Sequence, residues 1–501
     1  MKRILCLIDT LGMGGAERQM IGLALFLKQN GYHVDLITYC EHDFYSELVQ
    51  KYAIGSVTLH TKNNKWSKLY AIRKHIKETP VGYGMTEFLV QRSYSDKYNL
   101  IACAIGHHIY ESRWLRDPKY LDQIIHTWYR GNDGGPMKKM DKFSSWNADA
   151  VLARYMVDGD KDYLLDMKKD LETEYQRWER TNRLKNGLYW QGDVQDGMEE
   201  SISGGRRKKY ARPTINSYMY GNAKALSCIG ILSGDEGMAM KYGMRADTLK
   251  NLVENELWNT RHQFFETMRT DSSANVREAI GYIPWYFNLP DTTQKYEIAW
   301  KEIMDAKGFS APYGLTTAER RHPEFRTRGV GKCEWDGAIW PFASAQTLTA
   351  MANFMNNYPQ TVLSDSVYFR QMELYVESQY HRGRPYIGEY LDEVTGYWLK
   401  GDQERSRYYN HSTFNDLIIT GLIGLRPRLD NTIEVNPLIP ADKWDWFCLD
   451  NVLYHGHNLT ILWDKNGDRY HCGKGLRIFV DGKEVGQADT LTKIVCENVL
   501  K

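Results

Sequence analysis

Two stretches of the chain set carboxylates among aromatic rings. Residues 188–205 read LYWQGDVQDGMEESISGG and bring Asp193, Asp196, Glu199 and Glu200 close to Tyr189 and Trp190. Far downstream, residues 383–401 read GRPYIGEYLDEVTGYWLKG and frame Glu389, Asp392 and Glu393 with Tyr386, Tyr390, Tyr397 and Trp398. Solvated turns account for acids and glycines but not for indoles and phenols beside them, which offer flat apolar faces to a sugar ring. Cleaving a glycosidic bond requires a protonated carboxyl to donate to the leaving oxygen. It also requires a carboxylate on the other side of the sugar to activate water or attack. Two separate loops satisfy that geometry.

Other segments supply groups of the same kind. REAIGYIPWYFNLP (277–290) offers Arg277 and Glu278 as hydrogen-bonding partners and Tyr282, Pro284, Trp285 and Tyr286 as a subsite wall, or equally as packing beneath a loop. In ARPTINSYMYG (211–221), Arg212 and Asn216 either orient the first acidic loop or cap a helix. His107 and His108 read more readily as core histidines than as rim residues, and RRKK (206–209) as a solvated loop. Tyr409, Asn410 and His411 carry the residue types with which helical-toroid polysaccharide lyases neutralise a uronate and abstract its proton, so a lyase is an alternative.

The elements that must position these groups follow from composition and period. With 501 residues the chain is long enough for two or three domains, and 64 basic against 63 acidic side chains leave a net charge of +1. No charge excess points to nucleic acid or a membrane, so the expected partner is a carbohydrate substrate. Aromatics at 13% suit ring stacking on sugars and aromatic cores alike. Eight cysteines without CxxC pairs indicate neither zinc nor a disulfide framework, and no cofactor is implied. The opening lacks the features of a secretory signal, and no apolar run approaches a membrane span, so the chain reads as cytoplasmic.

Residues 1–80 alternate strand (4–8), glycine turn, helix (16–30) and strand (34–38), then helix (44–52), strand (56–60) and helix (66–77). This is the pattern of a small Rossmann-like α/β fragment. From about 81 to 430 the pattern becomes about ten to twelve helices joined by glycine- and aromatic-rich loops. Every acidic and aromatic segment falls in a connection, so the economical arrangement is an (α/α)6 barrel whose loops line one rim. From 431 to 501 strand signals such as IEVNPL, LTILWD and LRIFVD indicate a β-sandwich-like C-terminal region.

Two resemblances sharpen this reading. LGMGGAERQ (11–19) resembles the first loop of family 4 GT-B glycosyltransferases, although the second Rossmann domain of those enzymes has no counterpart after Pro80. That fragment is either a short module in its own right or an accidental join, so a non-catalytic sugar-binding fusion is a further alternative.

The chain from about 85 to 500 resembles glycosidases with a mannosylglycerate hydrolase-like catalytic domain, related to family 63 and trehalases. DGMEESISG (196–204) is similar to the family's acid loop and EYLDEVTG (389–396) to its base loop. The resemblance implies Glu199 as general acid with Asp196 as rival, Glu389 as general base, and inversion at the anomeric carbon. CEWDGAIWPFASAQTL (333–348) resembles the family's rim segment, with Asp336 in place of the usual Arg or Asn and Glu199 and Tyr390 as further departures. Trp190, Asp193, Arg212, Trp285, Tyr286, Trp335, Asp336, Trp340, Tyr390, Trp398 and His411 are the expected substrate-binding residues.

Overall fold

The computed structural model describes residues 3–8, 10–40, 44–59, 67–68, 71, 102–132, 134–137, 140–330, 332–401, 403, 406 and 412–500. They divide into two compact units, Met1–Val81 and Gly82–Lys501. The first is a small α/β unit in which β1 (Arg3–Leu7), α1 (Gly15–Gln29), β2 (His33–Thr38), α2 (Ser46–Lys51) and β3 (Gly55–Thr58) alternate. The strands form a parallel sheet in the order β1-β2-β3. Ile21 and Ala24 of α1 pack on Val34 and Leu36 of β2, which closes a small core. The helix expected at 66–77 falls largely outside the described residues.

The second unit is a toroid of helix hairpins. Its inner helices are α3 (Ile105–Ser112), α5 (Asn147–Asp158), α7 (Pro213–Ser233), α9 (Ile283–Tyr286), α10 (Pro341–Asn357) and α12 (Phe414–Leu417), the last continuing through residues 418–422. Each packs on the next, and α12 returns to α3, so the ring closes. Outer elements are α4 (Lys119–Arg130), α6 (Lys161–Asn182), α8 (Glu236–Leu252), the 3-10 helix Gln294–Ile303 and α11 (Asp365–Ser378). This is the (α/α)6 barrel expected from the helical pattern.

Burial separates inner from outer elements. The first fourteen residues of α10, Pro341 to Phe354, are all buried. In α4 the buried set is one face, Leu121, Ile124, Ile125, Trp128 and Tyr129, as a helix with one side in water requires. Small residues let the inner helices approach: a side chain at Gly221 of α7 would collide with the Phe287 ring beyond α9. Hairpins are written locally as Gly-Asp pairs. Gly159 and Gly234 end α5 and α7 in the left-handed conformation. Asp160 and Asp235 then cap α6 and α8 by accepting from the backbone N–H of Tyr163 and Met238.

The chain closes in two antiparallel sheets. β4 (Leu425–Arg426), β5 (Ile433–Val435) and β10 (Ile494–Cys496) form one, in the order β4-β5-β10. β6 (Trp446–Tyr454), β7 (His457–Asp464), β8 (Gly475–Val480) and β9 (Lys483–Ala488) form a meander. The three strand-like runs read from the sequence correspond to β5, β7 and β8. β6 and β9 escape notice because both leave many side chains in water and lack a continuous apolar run. Among the described residues, no helix is long and apolar enough to cross a membrane.

Candidate active site

The loops that carry the chemistry enter and leave at the N-terminal ends of the inner helices. Arg212 precedes α7 and Trp340 precedes α10, and the long connections of residues 183–212 and 379–413 bring in the two acidic segments. Sequence separation is therefore no obstacle to convergence on one rim.

In the first segment a turn at 193–195 is followed by Gly197 at φ 76 and Glu200 at φ 62. The left-handed conformation costs a non-glycine residue such as Glu200 strain that the surrounding contacts must hold. Two left-handed residues flank Met198 and Glu199 and fold the loop back on itself. Its far side is anchored by Glu278, which accepts from the backbone N–H of Ile202 at 2.8 Å and of Ser203 at 3.1 Å.

The carboxylates of this loop have different surroundings. Asp196 is buried, and its Oδ2 accepts from Gln191 Nε2 at 2.6 Å, Thr214 Oγ1 at 2.7 Å and Arg212 Nε at 3.0 Å. That set commits it to an ion pair that orients Arg212, itself buried. Among the described residues Glu199 has no such partner. Burial pushes its carboxyl up to about 7, aided by the charges of Asp193 and Asp196 and opposed by its own backbone N–H and Arg206. Asp193 is raised to about 6, again mainly by burial with Arg212 opposing, and its Oδ1 has no hydrogen-bond partner among the described residues. Trp190 is partly exposed, with the Lys209 ammonium 4.4 Å from its ring.

Glu389 is held from both sides. Lys400 Nζ donates to its Oε1 at 3.0 Å and Ser406 Oγ to its Oε2 at 2.9 Å. A carboxylate offers about four lone-pair directions, so two bonds leave acceptor capacity for a further donor. Lys400 also reaches Cys333 Sγ at 3.7 Å. The Cys333 thiol is pushed up to about 11, first by burial, then by Glu199 and, after the opposing Lys400, by Glu389. A single thiol thus senses both carboxylates, which ties the two acidic loops to one region.

Rings floor that region. Trp340 stacks on Trp335 at 4.1 Å and on Tyr390 at 4.5 Å between centroids, and all three are buried. Trp335 also lines a cavity of about 10 Å³, room for one water, together with Met198, Ser201, Arg212 and Glu278.

Several expected contacts have other occupations. Trp285 is fully buried among Phe265, Trp300 and Phe354, so it is a core residue rather than a sugar wall. Trp398 packs under its loop against Tyr386 and donates to the Tyr380 carbonyl. Tyr286 packs on Trp146 inside the ring, away from the acidic loops. Asp336 accepts the backbone N–H groups of Arg328 and Gly329, which fixes the 326–329 turn. Arg277 is tied to Glu319 and the His262 carbonyl, and Asn216 to the backbone of Tyr189. His107 is a core histidine against Trp146 and Phe342, and burial lowers it to about 3. Asp392 and Glu393 share Arg326 at 2.6 Å each. Tyr409, Asn410 and His411 lie outside the described residues. Lys400, Ser406 and Cys333 went unremarked in the sequence; the LKG that follows Trp398 was the available signal.

A family model for the mannosylglycerate hydrolase MGH1-like glycoside hydrolase domain matches residues 97–412, and one for the glycosyl hydrolase family 65 C-terminal domain matches residues 425–486. A solved structure named sialidase is 91% identical with a TM-score of 0.84 over 88% of this chain, and the match spans 41% of that protein's length. The GH63 mannosylglycerate hydrolase of Thermus thermophilus in complex with glucose shares 12% identity with a TM-score of 0.52, over 70% of this chain and 98% of that one. The GH78 rhamnosidase of Bacillus sp. GL1 shares 9% with a TM-score of 0.55, over 85% of this chain and 42% of its own. These last two likenesses are of fold.

Proposed function

Because the chain belongs to the mannosylglycerate hydrolase MGH1-like glycoside hydrolases, we propose that it removes terminal sugars from small glycosides or oligosaccharides by an inverting, two-carboxylate mechanism. Glu199 is the general acid: its carboxyl, raised to about 7, still carries a proton near neutrality and delivers it to the departing glycosidic oxygen. Glu389 is the general base. Lys400 and Ser406 fix its orientation, and its remaining lone pairs accept a proton from a water attacking the anomeric carbon. Inversion needs the two carboxyls roughly 6.5 to 9.5 Å apart with that water between them.

The observation that carries the reading is the contrast between the rival acids. Asp196 spends one oxygen on Arg212, Gln191 and Thr214, whereas Glu199 makes no such bonds among the described residues and burial raises its carboxyl to about 7. Asp193 Oδ1 and Trp190 supply sugar-binding surface, and the buried Trp335–Trp340–Tyr390 stack supports it from beneath. In this scheme residues 81–430 form the hydrolase, 431–501 buttress it, and 1–80 are a separate module.

Proton NMR of the reaction with a panel of α- and β-glycosides tests the proposal. A first-formed sugar of opposite anomeric configuration is expected, with turnover lost in Glu389→Gln and Glu199→Gln. Retention of configuration overturns the mechanism.

A further inference from the structure

Opposite the acidic loops, the toroid contains a second and larger cavity. It measures about 390 Å³ and is walled by the C-terminal halves of α5, α7 and α10 and by residues 426–434. Cavities of this size hold small ligands. Trp146, Tyr218, Tyr286 and Phe342 pack between it and the N-terminal rim, so it is not an extension of the candidate active site.

Four cations, Arg113, Lys224, Arg426 and Arg428, share the cavity wall with three acids, Asp149, Asp416 and Glu434. Arg113 is paired with Asp416 at 2.8 Å, and Arg428 with Asp430 and Glu434. Two other cations on the wall make no ion pair among the described residues. Arg426 donates to the Thr420 carbonyl at 3.1 Å and to Asn353 Oδ1 at 2.6 Å, both neutral acceptors. Lys224 projects from α7 with the Tyr220 ring 5.6 Å from its Nζ. Asp149, a further acid on the wall, accepts from the Tyr110 hydroxyl; burial pushes it up to about 6, opposed by that bond and by the charges of Arg113 and Lys224. Burial lowers the Arg426 guanidinium, and Glu434 and Asp416 oppose that only through space, so an oxyanion bonded directly to it would offset the cost of burial.

We propose that this cavity is a second ligand site, distinct from the glycosidase centre, for a small molecule bearing an oxyanion, either a carboxylate or a phosphate, held between Lys224 and Arg426.

Titration calorimetry on the full chain, with D-glucuronate and inorganic phosphate as probes and D-glucose as neutral control, tests this. The expected result is saturable binding of at least one anion at one site per chain, and none of glucose. Binding should weaken at least tenfold in Lys224→Gln, whose exposed position on α7 leaves the fold intact, and persist in Glu389→Gln. Preference for glucuronate or phosphate identifies the source of the oxyanion. Failure of both anions to bind, or equal binding in Lys224→Gln, overturns the proposal. Loss of binding in Glu389→Gln moves the anion to the glycosidase centre and overturns it equally.

Discussion

Glu199→Gln tests the acid assignment without knowledge of the sugar, through the pH dependence of folding stability. The Glu199 carboxyl titrates at about 7 in the folded chain against 4.5 for an unperturbed glutamate. Between those values the folded state holds a proton that the unfolded state has released, so stability falls as pH rises. The contribution is fully present below 4.5 and lost as pH climbs through about 7. At about 1.4 kcal/mol per pH unit the gap amounts to about 3 kcal/mol. Glutamine is neutral throughout and close in shape. The stability of Glu199→Gln minus that of the unsubstituted protein should therefore rise by about 3 kcal/mol from pH 4 to pH 8. Urea unfolding at a series of pH values reads this directly, since other titrating groups cancel in the difference. A difference that stays flat with pH means that the buried site does not hold the proton, and Glu199 is then no better an acid than an exposed side chain. A pH–rate profile follows the same logic: kcat/KM should fall about tenfold per unit above pH 7 as the proton is lost.

Three further substitutions separate chemistry from scaffold. Asp196→Asn leaves Arg212 buried with a weakened partner, and a loss of about 3 kcal/mol in thermal or urea unfolding is expected; a loss under about 1 kcal/mol denies the ion pair its structural role. Lys400→Met strips Glu389 of its cation. A drop in kcat of about a hundredfold with KM little changed, partly restored in Lys400→Arg, is expected from steady-state kinetics, whereas full activity in the Met variant removes Lys400 from the site. Trp285→Ala opens a hole in the core and should cost about 3 to 5 kcal/mol by urea unfolding with KM unaltered at permissive temperature, while a raised KM with intact stability restores it to a binding wall.

The toroid was legible because helical period and the glycine- and aromatic-rich connections between helices are local properties of the chain. The aromatic contacts were less so. Trp285 and Trp398 look like Trp190 in sequence, yet two are enclosed and one is partly exposed, because each indole's fate depends on which helix or loop folds over it. Lys400 was passed over for the same reason. A lone lysine in a loop carries no mark of burial until Glu389 and Cys333 are brought against it.

By itself the sequence determined the helical pattern of the toroid, the acid-and-aromatic loops and the resemblance to glycoside hydrolases, all of which rest on neighbours within a turn or a loop. Only the tertiary structure shows that Asp196 is committed to Arg212, Gln191 and Thr214 while Glu199 makes no such bonds among the described residues. The reason is electrostatic: a carboxyl's protonation follows from the charges, donors and dielectric around it. Those come from Arg212 and Thr214 at the start of α7, from Arg206, and from the depth to which the closed loop withdraws Glu199 from water.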